Sequence, residues 1–238
     1  MPLHLLAICR RGAVAKLPAD WSDGVAGQRP SETVTGPRGN AIRWVTNGPL
    51  AAATLPHLPA ASSPLEHAAW LAAIHAEISI LPMRYGSVLP DAEAVRHFLG
   101  SHRDSLLHKL VGLEGTGEIG LRVALAGPAA PSRPQNETNC LPPSSPIQYL
   151  ASRRQHYEQA DQLDRQAQLT SKDFVQAVHG LYREWRTLTS TIPGIVRLAF
   201  LVPRDLCGAF QDRLKATLPE QAARRYTLLG PWPPYSFV

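Results

Sequence analysis

The sequence predicts an α+β protein of two domains, the second a modified ferredoxin-like α/β sandwich. Three observations carry that expectation. Short apolar or alternating runs, such as residues 3–9 and 118–125, have the period of strands. Longer segments between them repeat apolar residues every three or four positions, as helices do. The two halves each order these elements as strands and helices around one sheet. The expected domains are 1–114 and 115–238, with a Pro-rich loop at 127–146 inside the second.

In the first domain, LHLLAIC (3–9) reads as a buried strand. Residues 10–40 are rich in Gly, Pro and polar residues and read as a long loop. Asn47-Gly48 separates two apolar runs over 41–55 and accepts the positive φ angles of a tight hairpin. SSPLEHAAWLAAIHAEISI then opens a helix: Ser63 caps it, Pro64 fits its first position and Glu66 completes a capping box. Trp70, Ala73, Ile74, Ile78 and Leu81 fall on one face. LPMRYGSVL (81–89) is a short extended segment. Asp91 caps a further helix whose buried side holds Val95, Phe98, Leu99, Leu106, Leu107 and Leu110. The order is β-β-β-α-β-α.

In the second domain, EIGLRVAL (118–125) is a strand. The loop 127–146 has six prolines and no periodicity. Ser145-Pro146-Ile147-Gln148 opens a polar helix to about residue 168. Thr170 or Ser171 caps a further helix carrying Phe174, Val175, Val178, Leu181, Tyr182, Trp185 and Leu188, unless the two are one kinked helix. Gly194 precedes the strand IVRLAFLV, residues 204–217 are helical, and RRYTLLG (224–230) is the last strand. The order is β-α-α-β-α-β, without an internal repeat.

Composition narrows the function classes. Hydrophobic residues make up 44% and charged residues 18%, which is globular rather than disordered. The 24 basic against 19 acidic residues give +5, and a pI near 9.4. That excess is mild, and its short clusters at Arg10 and Arg11, Arg153 and Arg154, and Arg224 and Arg225 read as solvated faces rather than a nucleic-acid footprint. Cys9, Cys140 and Cys207 are far apart and form no CxxC, so neither a disulfide framework nor a zinc site is indicated. A reducing cytosol is expected. The apolar start is too short for a signal peptide or a membrane span.

Motifs that resemble chemistry lack its context. GTGEIG (115–120) has the G-x-G-x-x-G spacing, but it follows a helix and enters a strand, the reverse of a dinucleotide fingerprint. Its glycines read as helix end and turn. His67 and His75 stand about 80° apart around their helix, and His97 and His102 about 140° apart, so neither pair converges on a metal. No HExxH, G-x-S-x-G or P-loop occurs. No cofactor, metal or catalytic residue is expected.

Two regions hold more information. Arg84 lies in an apolar extended segment and must snorkel or find a carboxylate. A structural ion pair is favoured over a partner-binding role, with Glu77 and Glu118 as candidate acids and Glu118, at the inward-facing start of its strand, preferred. The chain ends LLGPWPPYSFV. Pro231, Pro233 and Pro234 lack backbone donors and so exclude a central strand. With Trp232, Tyr235 and Phe237 they make a stiff apolar strap. It is expected to pack back across its own chain rather than wait free for a partner.

Several of these stretches are similar to one family. ILPMRYGSVL resembles the LP-x-R-[FY]-G-[TS] segment of the gas vesicle protein L/F family (GvpL/GvpF). His67, fifteen residues before Pro82, sits where that family carries a histidine on the preceding helix. GTGEIGLRV is similar to its Gly–Glu–strand segment, with Glu118 at the acidic position. Tyr149, Leu150 and Arg153 resemble its Tyr-Leu-x-x-Arg helix start, and GPWPPYSF resembles its terminus. The resemblance runs in order from about residue 67 to 238. It implies a cytoplasmic, gas vesicle-associated accessory or minor structural protein, without catalytic chemistry or cofactor. Such a protein binds the small apolar shell protein, limits its aggregation and assists nucleation of the wall, with other accessory proteins as further partners. No nucleic acid or lipid membrane is implied. An enzyme with an interdomain site is the alternative, and a nucleic-acid binder a weaker one.

Overall fold

The structure, a computed structural model, describes residues 1–17, 34–35, 41–56, 63–125, 146–192, 194–217 and 226–238. Helices and antiparallel sheet make up an α+β protein. The chain divides into two compact units. The first takes residues 1–118, 201–204 and 230–238, and the second residues 119–200 and 205–229. Residues 115–118, 201–204 and the terminal nine, expected in the second domain, thus belong to the first unit.

The first unit is built on β1 (Leu3–Arg10), whose residues 3–9 are all buried. A short helix α1 (Arg11–Val14) and the two-residue strand β2 (Val34–Thr35) lie within what the sequence presents as loop. The hairpin β3 (Ala41–Asn47) and β4 (Leu50–Pro56) forms as expected, with Asn47 opposite Leu50 and Gly48 at φ 57°. Strand β4 pairs with β1 antiparallel, with a register shift between Leu5 and Ala7. Helix α2 (Pro64–Glu77) starts at the predicted capping box: Ser63 Oγ accepts from the Glu66 N–H at 3.2 Å, and Glu66 accepts from the Ser63 N–H at 3.1 Å. Its Trp70, Leu71 and Ile74 pack with Leu6, Cys9, Trp44 and Ile80 in the core.

The segment after α2 is not one extended run. It pairs with β1 as β5 (Leu81–Pro82) and β6 (Val88–Leu89), with a turn between. The sheet order is β2-β3-β4-β1-β5, with β6 also on β1. The expected single helix after Asp91 is two, α3 (Ala92–Ser101) and α4 (Arg103–Gly112). They break at His102, where φ −110° and ψ 14° leave the helical region. Asp91 caps α3 through the Ala94 N–H at 2.8 Å.

In the second unit, β7 (Thr116–Ala124), β8 (Glu184–Leu188), β9 (Ile195–Pro203) and β10 (Tyr226–Trp232) form one sheet in the order β10-β7-β9-β8. Unit boundaries fall inside β7, β9 and β10. One helix, α5 (Pro146–Ala177), links β7 to β8, and α6 (Cys207–Thr217) links β9 to β10. The order is therefore β-α-β-β-α-β. The expected further helix to Leu188 is corrected: Gly180, at φ 84°, follows the helix end, and residues 184–188 are an exposed edge strand. Phe200 packs on Phe210 with ring centroids 5.1 Å apart, and Tyr182 meets Phe200 edge-on at 5.5 Å. Ser145 and the loop 127–146, apart from Pro146, lie outside the described residues.

Candidate functional site

The terminal segment is anchored in the first unit by a buried carboxylate. Glu118, 7% exposed, accepts from both the Ser236 backbone N–H and the Ser236 hydroxyl, each at 2.7 Å. Charge-assisted bonds of this kind are the stronger class. Pro233 and Pro234 are buried, and Phe237, in a 3-10 turn (Tyr235–Phe237), is 7% exposed. Trp232 and Tyr235 stay 45% and 43% exposed. The Tyr235 hydroxyl is pushed up from its ordinary pKa by partial burial and by the Glu118 carboxylate. Pro231 lies on an edge strand, β10, as its missing donor requires, and Pro233 and Pro234 follow the end of that strand.

The cradle is shaped by missing side chains. A Cβ on Gly117 would lie 3.2 Å from Pro231 Cβ and 3.7 Å from the Trp232 carbonyl oxygen. Gly117 is thus a strand residue over which the strap passes, whereas Gly115, at φ 68°, makes the expected turn out of α4. Gly230 has φ 110°, and a Cβ there would fall 2.5 Å from the Glu118 carbonyl oxygen.

Beside the strap, the Arg204 guanidinium caps the carboxyl end of α2. It donates to the Ala76 carbonyl at 3.0 Å, the Ile78 carbonyl at 3.1 Å and the His75 carbonyl. A cation there satisfies orphan carbonyls and opposes the helix dipole. Arg204 also donates to His75 Nδ1 at 3.1 Å, so that nitrogen carries a lone pair and the ring is neutral. Burial, then the Arg204 charge, lowers the His75 pKa to about 4. Its Nε2 faces Gly117, 3.7 Å from where a Cβ would stand.

The expected Arg84–Glu118 ion pair is not formed. Glu118 is held by Ser236, and Arg84 is exposed with no carboxylate in ion-pair range among the described residues. Gly86, at φ 85°, allows a turn that lifts Arg84 out of the apolar strand, so it needs no buried partner. His67 supports this turn. Its Nε2–H donates to the Met83 carbonyl at 2.9 Å, its ring stacks on His4 with centroids 5.1 Å apart, and burial lowers its pKa.

Sequence reasoning missed His4, Arg204 and Ser236, and weighed His75 only as a metal ligand. The available signals were weak: His4 inside an apolar strand, and an arginine directly after a buried strand at Pro203-Arg204. Among the described residues, no group of three His, Cys, Asp or Glu side chains could hold a metal, and no helix is long and apolar enough to cross a membrane. The described site is a clamp, which buries one end of an aromatic strap and leaves two aromatics in view.

An α+β fold of this kind has solved counterparts. A crystal structure of gas vesicle protein GvpF from Microcystis aeruginosa aligns with 99% of this chain and 98% of its own, at a TM-score of 0.68 and 14% identity. That of GvpF from Anabaena sp. PCC7120 aligns over 99% and 97%, at 0.67 and 16%. Among curated relatives, gas vesicle protein L of Streptomyces sp. (strain CB03234) is 26% identical over 181 residues, 72% of this chain and 67% of its own. The family model described as gas vesicle synthesis protein GvpL/GvpF matches residues 3–238. The chain belongs to that family.

Proposed function

We propose that this protein is an accessory or minor structural protein of the gas vesicle. It binds the small apolar shell protein, limits its aggregation and assists nucleation and assembly of the wall. It works in the cytoplasm and at the vesicle, with other gas vesicle accessory proteins as further partners, and has no catalytic role. Family membership over residues 3–238 carries this reading. The second unit is read as a modified ferredoxin-like sandwich, which its β-α-β-β-α-β order and β10-β7-β9-β8 sheet support.

Physical chemistry supports the role. A subunit destined for a wall exposes apolar surface before it assembles, and that surface aggregates unless covered. A helper needs apolar surface of its own, held rigid so that docking costs little entropy. Trp232 and Tyr235 meet that need: both are half exposed, on a segment fixed by Glu118, Phe237 and the prolines. Aromatic side chains of this kind dominate binding energy at interfaces. The test is capture of co-expressed shell protein by the purified chain. Trp232→Ser with Tyr235→Ser is expected to weaken capture at a temperature where the variant, though less stable, is still fully folded by circular dichroism. Wild-type protein that leaves the shell protein to aggregate would overturn the reading.

A further inference from the structure

The turn at residues 84–87 is held at both feet by β1 and packed against two buried histidine rings. A continuous strand over 81–89 could have paired along β1. Instead the chain leaves the sheet after Pro82 and rejoins it at Val88. The Met83 N–H donates to the Leu6 carbonyl and the Leu5 N–H to the Ser87 carbonyl, both at 2.8 Å, pinning each foot of the turn to β1. The Ser87 N–H closes the turn onto the Arg84 carbonyl at 3.1 Å. From beneath, His67 holds the Met83 carbonyl, and His4 Nε2 accepts from the Gly86 N–H at 3.4 Å.

This arrangement is costly. His4 and His67 are 3% and 5% exposed, and His67 Nδ1 is buried with no hydrogen-bond partner among the described residues. Burying polar rings, one of them incompletely satisfied, lowers stability. What the two rings support is the outward face of the turn. Tyr85 packs edge-on against both, at 5.6 and 5.7 Å, and is still 47% exposed. Arg84 beside it is exposed and, among the described residues, faces no acid. Arg and Tyr, presented rigidly and side by side, are the residue types that anchor interfaces.

We propose that this turn is a second docking point, at which Arg84 forks onto a carboxylate of the partner and Tyr85 packs on the chain next to it. A guanidinium matches a single carboxylate with two parallel bonds. A nucleic-acid or phosphate-rich surface would call for several clustered cations, and the turn presents one. The identity of the partner as the shell subunit rests on the function proposed above; the turn itself does not involve the strap.

The test uses the intact chain co-expressed with the shell protein and reads the fraction of subunit captured and its affinity. Arg84→Glu is expected to weaken binding by more than about tenfold. Arg84→Lys, a point charge without the fork, is expected to fall in between. Melting temperatures of both should match the wild type, because the Arg84 side chain is exposed and makes no ion pair among the described residues. A single Asp→Lys or Glu→Lys change in the shell subunit should restore binding to Arg84→Glu. Wild-type binding by Arg84→Glu overturns this inference and leaves the assembly role standing. Loss that no such change in the subunit restores overturns the carboxylate assignment. Failure of the wild-type chain to capture shell subunits overturns both.

Discussion

Gly230 sits at φ 110°, with the Glu118 carbonyl oxygen 2.5 Å from where a Cβ would be. Both the backbone angle and the space exclude a side chain. Gly230→Ala is expected to cost about 2–4 kcal/mol, combining left-handed strain with a backbone clash. A lowered urea midpoint at constant slope would show it; an unchanged midpoint would contradict the clash. His75 leads to a pH prediction. Its pKa is about 4 in the folded chain and 6.5 in the unfolded one. Between those values the unfolded state binds more protons, so stability rises with pH there. The contribution is complete above about pH 6.5 and is lost as pH falls toward 4, by no more than about 3–4 kcal/mol. His75→Gln should flatten that part of the stability profile, measured as urea midpoints from pH 7 to pH 4.5. A profile as steep as the wild type's would refute the assignment.

At the scale of elements, the strap behaves as one unit with its cradle. Cutting the chain after Gly230 removes the buried Phe237 and takes from Glu118 its two donors. Losing a buried aromatic and two charge-assisted hydrogen bonds together costs upwards of about 3 kcal/mol. The truncated protein is therefore expected to melt well below the intact chain or to be insoluble. A product that melts like the full chain would show that the strap is only an appended tail. The prolines made its edge position legible, because a residue without an N–H cannot serve a central ladder. Which aromatic it buries was not legible, since Trp232, Tyr235 and Phe237 are equally apolar on paper. The helix expected to reach Leu188 failed for a related reason. Leu181, Tyr182, Trp185 and Leu188 keep a helical spacing, but Gly180 ends the helix and β9 offers Glu184–Leu188 a ladder.

For the whole molecule, the expected consequence of an assembly role is specific. Cells lacking this protein should form no vesicles or malformed ones, with growth otherwise unaffected. Flotation and electron microscopy of the deletion strain check this, and normal buoyant vesicles would refute it. The division of the chain bears on how such experiments are designed. Residues 230–238 belong to the first unit although they end the chain, so a fragment cut near residue 118 leaves that unit without its clamp.

Much of this protein was decided locally. The capping box at Ser63, the Asn47-Gly48 hairpin, the Asp91 cap and the edge position of the proline strap each follow from the chemistry of a few neighbouring residues, and the sequence by itself determined them. The pairing of charges was settled only by tertiary structure. Arg84 and Glu118 look like partners because a charge in an apolar run needs an answer. In the fold each has a different one: a turn at Gly86 returns Arg84 to water, and Ser236, 118 residues away, supplies Glu118 with two donors. Arg204 likewise reaches the end of α2 across 129 positions of chain. A buried polar group is satisfied by whatever the fold brings within about 3 Å, and spacing along the sequence carries no record of that distance.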